Sequence, residues 1–115
     1  MCIRDRFSHA RLKELLDDGK PVLVDATASW CLTCKVNEKV ALSSQEMQDY
    51  LAKYDVTLLI ADWTSYDAGI TEYLASFGRN GVPLYVYYPA YGQAHVLPQL
   101  LTPAIVRDAI DPAHE

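Results

Sequence analysis

The chain has 115 residues, a length for one domain, with 50% hydrophobic and 22% charged residues as in ordinary globular folds. Ten basic residues against 15 acidic ones give a net charge of −5, which argues against a nucleic-acid binder. No apolar run approaches the ~20 residues needed to cross a bilayer, no signal-peptide pattern opens the chain, and three cysteines are too few for a disulfide scaffold.

Met1 to Arg6 has neither clear periodicity nor a turn signal. A short edge strand and a false start are both open there, and the stretch is similar to translated adaptor sequence in assembled environmental reads. Residues 1-7 are therefore set apart as a remnant or artefact, and the domain is expected over residues 8-115. Ser8 can cap a helix, with Phe7 and Leu12 placed as a hydrophobic staple. Leu12, Leu15 and Leu16 share one face of that helix, and Gly19 followed by Pro21 stops it.

Residues 21–27, mostly apolar, predict a buried strand. A helix is expected from Trp30 to Val40, and Ser43-Ser44-Gln45-Glu46 fits a capping box for another. Residues 57–62 form a second buried strand. Ile70, Tyr73, Leu74 and Phe77 have helical spacing up to Gly78. Residues 82–88 predict a third strand, turning at Tyr91-Gly92-Gln93 into a fourth at 94–97. Thr102-Pro103 opens a last helix with proline in its first turn. Helical crossovers force parallel pairing early, and the late hairpin is antiparallel, so the fold class is α/β with a mixed sheet flanked by helices.

Trp30-Cys31-Leu32-Thr33-Cys34-Lys35 stands where a buried strand passes into a helix. The helix N-terminus favours a thiolate at Cys31, read as the exposed nucleophile, and Cys34 lies one turn on as the resolving thiol. A structural zinc site would need four ligands, and His9, His95 and His114 lack zinc-motif spacing to the pair, so no metal is expected. Cys2 reads as an incidental thiol. Two acids bear on the pair. On a helical wheel Cys31, Cys34 and Glu38 fall at about 0°, 300° and 340°, within one ~60° arc. Asp25 interrupts an apolar strand, where an acid is costly unless used or paired.

With these residues in hand, the chain resembles a thioredoxin-like domain, and more narrowly the C-terminal domain of the DsbD-type transmembrane protein-disulfide reductases. The resemblance rests on Gly19 to Asp25, Trp30 to Lys35, Asn37-Glu38-Lys39, Asp62-Trp63-Thr64 and Phe77 to Tyr85, and covers about Ser8 to Ile110. It implies a cis peptide at Val82-Pro83 facing the cysteines, where the Val82 backbone would pair with an extended partner segment. It also places Asp25 and Glu38 near the thiols, where negative charge raises a thiol pKa and makes the dithiol a better electron donor. Asp25 would take the proton of Cys34. The chain departs from general thioredoxins in carrying Leu32-Thr33 between the cysteines and no lysine from Leu58 to Asp62. The usual first edge strand is expected to be absent or vestigial.

The function so implied is a thiol-disulfide oxidoreductase domain, catalytic through Cys31, Cys34, Asp25 and Glu38, with Trp30, Val82 and Pro83 meeting the partner. No flavin or nicotinamide fingerprint is present, so the couple is the cysteine pair itself and no cofactor is expected. Partners would be disulfide-bearing periplasmic proteins and a membrane-embedded electron-donor domain of the parent protein, at the periplasmic face of the bacterial inner membrane. The alternatives are a free-standing thioredoxin-like reductase or oxidant and a non-enzymatic metal-binding or docking module. Tyr85, Tyr87, Tyr88 and Tyr91 form an aromatic cluster suited to stacking on helices or to docking, and Trp63 fits core or rim.

Overall fold

The computed structural model describes residues 3–111, so Cys2 and His114 lie outside the described residues. Strand β2 (Val22–Thr27) is the centre of the sheet, and its VLVDAT sequence is buried on both faces. On one side it pairs in parallel with β3 (Thr57–Asp62), and on the other it pairs antiparallel with β4 (Leu84–Tyr88). Strand β5 (His95–Val96) extends β4 as an antiparallel hairpin arm, and β1 (Ile3–Arg6) runs parallel to β3 at the far edge. The order is β1-β3-β2-β4-β5.

Strand β1, four residues long, is the short edge strand that the sequence left open at its start. Ile3 to Arg6 are in register with Thr57 to Ile60, and the Phe7 N–H continues the ladder to the Ile60 carbonyl at 2.9 Å. The sheet therefore starts ahead of residue 8, the boundary drawn from the sequence.

Alternation along β2 divides the core. Val22, Val24 and Ala26 pack with helices α1 (His9–Asp17) and α4 (Ala68–Ser76) through Leu12, Leu15, Ile70, Tyr73 and Leu74. Leu23 points the other way, toward Met47 and Leu51 of α3 (Gln45–Lys53) and Val106 of α5 (Pro103–Ile110). The third element on this second face is α2 (Leu32–Asn37), which runs on through a π-helical turn at Glu38–Leu42. The expected single helix from Trp30 to Val40 is thus shorter at its start and widened at its end.

Local signals set the helix ends. Ser8, Ser44 and Thr102 accept from the N–H three residues on, and Pro103 stands in the first turn of α5. The cap of α3 is Ser44, one residue later than the Ser43–Glu46 box implies. Gly19 and Gly78 close α1 and α4 in the left-handed region, at φ 71° and 72°. In both, the following N–H reaches back to the third-last helical carbonyl: Lys20 to Leu15, and Arg79 to Leu74. A side chain at Gly19 would also collide with the Tyr91 ring packed over it.

Candidate active site

Strand β2 ends at Thr27, and the chain turns through Ala28 to Trp30 before entering α2. That turn is fixed by the Cys31 N–H donating to the Ala28 carbonyl at 3.1 Å. Cys31 is the N-cap of α2, in extended backbone, and its Sγ accepts the Cys34 N–H at 3.2 Å. The two cysteines are joined as a disulfide with Cα atoms 5.3 Å apart. Cys31 is not the exposed residue the sequence suggested. It is 8% accessible against 3% for Cys34, because Ala28 and Val82 pack onto the pair. The order of access still favours Cys31. Val82 brings the loop before β4 to the cysteines, and the Val82–Pro83 peptide is cis.

Asp25 lies in a row across the sheet, between Ile60 of β3 and Tyr85 of β4, on the face covered by α2 and the π-turn. It is 3% exposed. Burial pushes its carboxyl up to about 7, Glu38 adds to the rise by like charge, and Arg4 opposes it. A carboxyl with that value exchanges a proton near neutrality, as a base acting on a thiol requires. Glu38, at the start of the π-turn, shares with Cys34 the lining of a hollow of about 390 Å³. Glu38 and Cys34 thus face the same hollow.

Two residues of this cluster, Arg4 and Asn37, were given no role at the site from sequence. Arg4, on β1, grips Glu38 with both guanidinium ends, at 3.0 and 3.3 Å. It supplies the positive charge near Asp25 that β3, with Ile60 beside the acid, does not. Asn37, 1% exposed, donates to the Tyr85 hydroxyl at 2.9 Å and to the Gln99 carbonyl at 2.6 Å, and accepts the Leu101 N–H at 3.0 Å. It pins the end of α2 to β4 and to the loop before α5. Tyr85 itself is buried beside Asp25, and burial raises its hydroxyl pKa while the Asn37 bond lowers it. The available signal for Asn37 was its place on the inward arc of the helix, three residues after Cys34.

The rim is aromatic. Trp30 is half exposed; its indole N–H donates to the Thr64 carbonyl at 3.2 Å, and its ring stacks on Tyr66 at 5.7 Å. Thr64 also accepts the Ser29 N–H, so the Asp62-Trp63-Thr64 segment holds the turn that carries Trp30. Trp63 belongs to the core, donating to the Thr71 hydroxyl at 2.8 Å. Tyr85 and Tyr87 are core residues, Tyr88 bonds to the Tyr73 hydroxyl, and Tyr91 is exposed on its turn away from the cysteines. Among the described residues no cluster of His, Cys, Asp and Glu could hold a metal ion. Also among them, no helix is long and apolar enough to cross a membrane.

Comparison with known proteins agrees with this geometry. A family profile described as thioredoxin-like matches residues 4–90. The chain is 35% identical over 91 residues to the thiol:disulfide interchange protein DsbD of Shigella boydii serotype 4 (strain Sb227), covering 79% of this chain and 15% of that protein. It is 38% identical over 77 residues to the DsbD of Escherichia coli (strain K12), covering 67% of this chain and 13% of that protein. The chain thus spans about one seventh of the length of the curated relatives it matches. Among solved structures, the oxidised C-terminal domain of Neisseria meningitidis DsbD superposes with a TM-score of 0.69 at 22% identity, covering 90% of this chain and 94% of that one.

Proposed function

Because the chain belongs to the thioredoxin-like family, we propose that it is a thiol-disulfide oxidoreductase domain that reduces disulfides in partner proteins through Cys31 and Cys34. The observation that carries this reading is the placement of the pair. Cys31 caps α2 beside Val82–Pro83, while Cys34 lies deeper and shares a hollow with Glu38, whose charge acts on the buried Asp25 carboxyl.

In the reduced domain the Cys31 thiolate attacks one sulfur of the partner disulfide. The partner S–S bond breaks, its second sulfur leaves with the electron pair and takes a proton, and a mixed disulfide joins Cys31 to the partner. Asp25, as carboxylate, then accepts the proton of the Cys34 thiol. The Cys34 sulfur attacks Cys31 Sγ, and the partner leaves with its second thiol. Two electrons and two protons pass to the partner, and the Cys31–Cys34 disulfide is left. Trp30 and the backbone at Val82 flank the attacking sulfur and hold the partner segment. Glu38 keeps negative charge near the pair, which disfavours the thiolate and makes the dithiol a stronger donor.

Electrons return, on this reading, from a membrane-embedded cysteine domain of a longer parent protein, through the same exchange in reverse. The domain then works at the periplasmic face of the bacterial inner membrane, where its partners are disulfide-bearing proteins, including those of cytochrome c biogenesis. Support comes from the resemblance of the Cys-Leu-Thr-Cys-Lys and Asp-Trp-Thr segments to the DsbD type, and from DsbD relatives several times the length of this chain.

The test is reduction of insulin disulfides with a chemical dithiol as donor, together with the reduction potential. Turnover by the wild type and none by Cys31→Ala is the expected result. Stoichiometric metal retained on purification, without turnover, would overturn it in favour of a binding module. A potential near the ~−120 mV of a strong oxidant would overturn the direction of electron flow.

A further inference from the structure

The solvent side of the helix that carries the cysteines is both apolar and basic. Leu32, Val36 and Val40 follow one another at i, i+4 and i+8 and are 77%, 48% and 50% exposed. Lys35 and Lys39 flank this row, both exposed. Neither lysine enters an ion pair among the described residues, although the chain as a whole carries a net charge of −5. Next to Val82, which packs on the pair, the Arg79 guanidinium lies 3.5 Å from the carbonyl of Pro83 and makes no ion pair among the described residues. The acids closest to this face are engaged. Glu38 is held by Arg4, and Asp62 by Thr64, whose hydrogen bonds keep its carboxyl below the usual range.

The row from Leu32 to Val40 extends roughly 12 Å along the helix from the cysteines. A standard protein interface covers about 800 Å² per partner, so a protein delivering a disulfide to Cys31 would lie over this row as well. Scattered apolar residues on a surface need no explanation, but three in line beside the reacting sulfur and rimmed by unpaired cations do.

We propose that this face selects its redox partner by charge: the segment that presents its disulfide to Cys31 is acidic, with an apolar centre that rests on Leu32 and Val36. Lys35 and Lys39 along the helix and Arg79 next to Val82 attract that segment. The inference rests on the reductase reading and deepens it by giving the partner's chemistry. Complementary charge acts mainly on the rate of encounter and is weakened by salt.

The experiment uses two synthetic peptides with the same intramolecular disulfide and the same apolar neighbours. One carries glutamates and the other lysines around the cysteines, and hydroxyethyl disulfide is the uncharged probe. Rates are measured as stopped-flow reaction with the reduced protein. The acidic peptide should react at least about tenfold faster than the basic one at low salt, within the range electrostatic steering supplies. The ratio should fall toward one as salt rises. In Lys35→Glu/Lys39→Glu it should invert, and because the ratio is taken within one variant, any change in thiol reactivity cancels. Equal rates for the two peptides, or a preference that salt and charge reversal leave in place, overturn the proposal while the reductase reading stands. Failure to react with all three probes, the uncharged one included, overturns the reductase reading and this inference with it.

Discussion

The two faces of the sheet are built from the same strands and do different things. Toward α1 and α4, β2 presents Val22, Val24 and Ala26, and the packing is apolar except for the Tyr73 and Tyr88 hydroxyls, which bond to each other, and the Trp63 indole, which bonds to Thr71. Toward α2, α3 and α5 it presents Leu23 and Asp25, and with Asp25 come Tyr85, Asn37 and Glu38. One face is insulated hydrocarbon. The other carries a carboxyl out of water and bonds its polar neighbours, which costs stability unless the group is used. Both faces bury hydrocarbon, and the cost of a buried carboxyl falls on the α2, α3 and α5 side alone.

The largest expected effect separates the halves most sharply. Cys31→Ala and Cys34→Ala should each lower insulin turnover by about a thousandfold or more, with Cys34→Ala accumulating a mixed disulfide visible by mass. Leu74→Ala, fully buried on the opposite face, should lower stability by about 2–5 kcal/mol yet leave turnover per folded molecule close to wild type. A matching loss of turnover in folded Leu74→Ala would break the division.

Asp25→Asn comes next and should raise stability while slowing reduction. The folded carboxyl titrates near 7, well above an unfolded aspartate. Between about pH 4 and 7 the folded state therefore holds the extra proton, so wild-type stability falls as pH rises through that window. The gap to the ordinary value corresponds to about 4 kcal/mol at most at neutral pH. Denaturant unfolding of the oxidised protein at pH 4 and pH 8 should show the variant gaining only at the higher pH. Turnover should lose its dependence on a group titrating near neutrality. A gain equal at both pH values would exclude Asp25 as the buried charge.

Asn37→Ala belongs to the same face but has the opposite sign. It leaves the Leu101 N–H without its acceptor and removes both donations, so a loss of about 1–3 kcal/mol is expected, independent of pH from 4 to 8. Asn37 positions the helix end without touching the sulfurs. Its loss should therefore slow turnover less than Asp25→Asn does.

Sequence made the apolar face almost fully legible, because periodicity reports burial directly: residues 57–62, the α1 cap at Ser8 and the α4 stop at Gly78 stand where the pattern put them. On the other face it showed the chemistry but not the support. The Cys-x-x-Cys pair and an acid inside a strand are readable because each breaks an expected pattern. Asn37 is not, since a polar residue on a helix ordinarily meets water. The π-turn has no sign in residue types, because it is a shift of backbone hydrogen bonding. Cys31 was expected to be open, yet its cover comes from Val82, far along the chain. Arg4 was hidden twice over, in a segment with no periodicity and with a partner 34 residues away.

Arg4 and Glu38 give the smallest effect and the finest test of the comparison, because each should move Asp25 without touching it. Glu38 raises the Asp25 carboxyl by like charge, and Arg4 lowers it. Glu38→Gln should therefore bring the Asp25 midpoint down, and Arg4→Gln should take it up. Arg4→Gln also releases Glu38 from its bidentate hold. The double variant should return toward wild type, since the two charges offset each other. Both side chains are more than a third exposed, so solvent screens them, and neither single change should alter global stability by more than the small amount usual for surface pairs. Carbon-detected NMR titration of the Asp25 carboxyl reads the midpoint directly. Shifts of the same sign in the two single variants would mean that packing, rather than charge, links the edge strand to the acid.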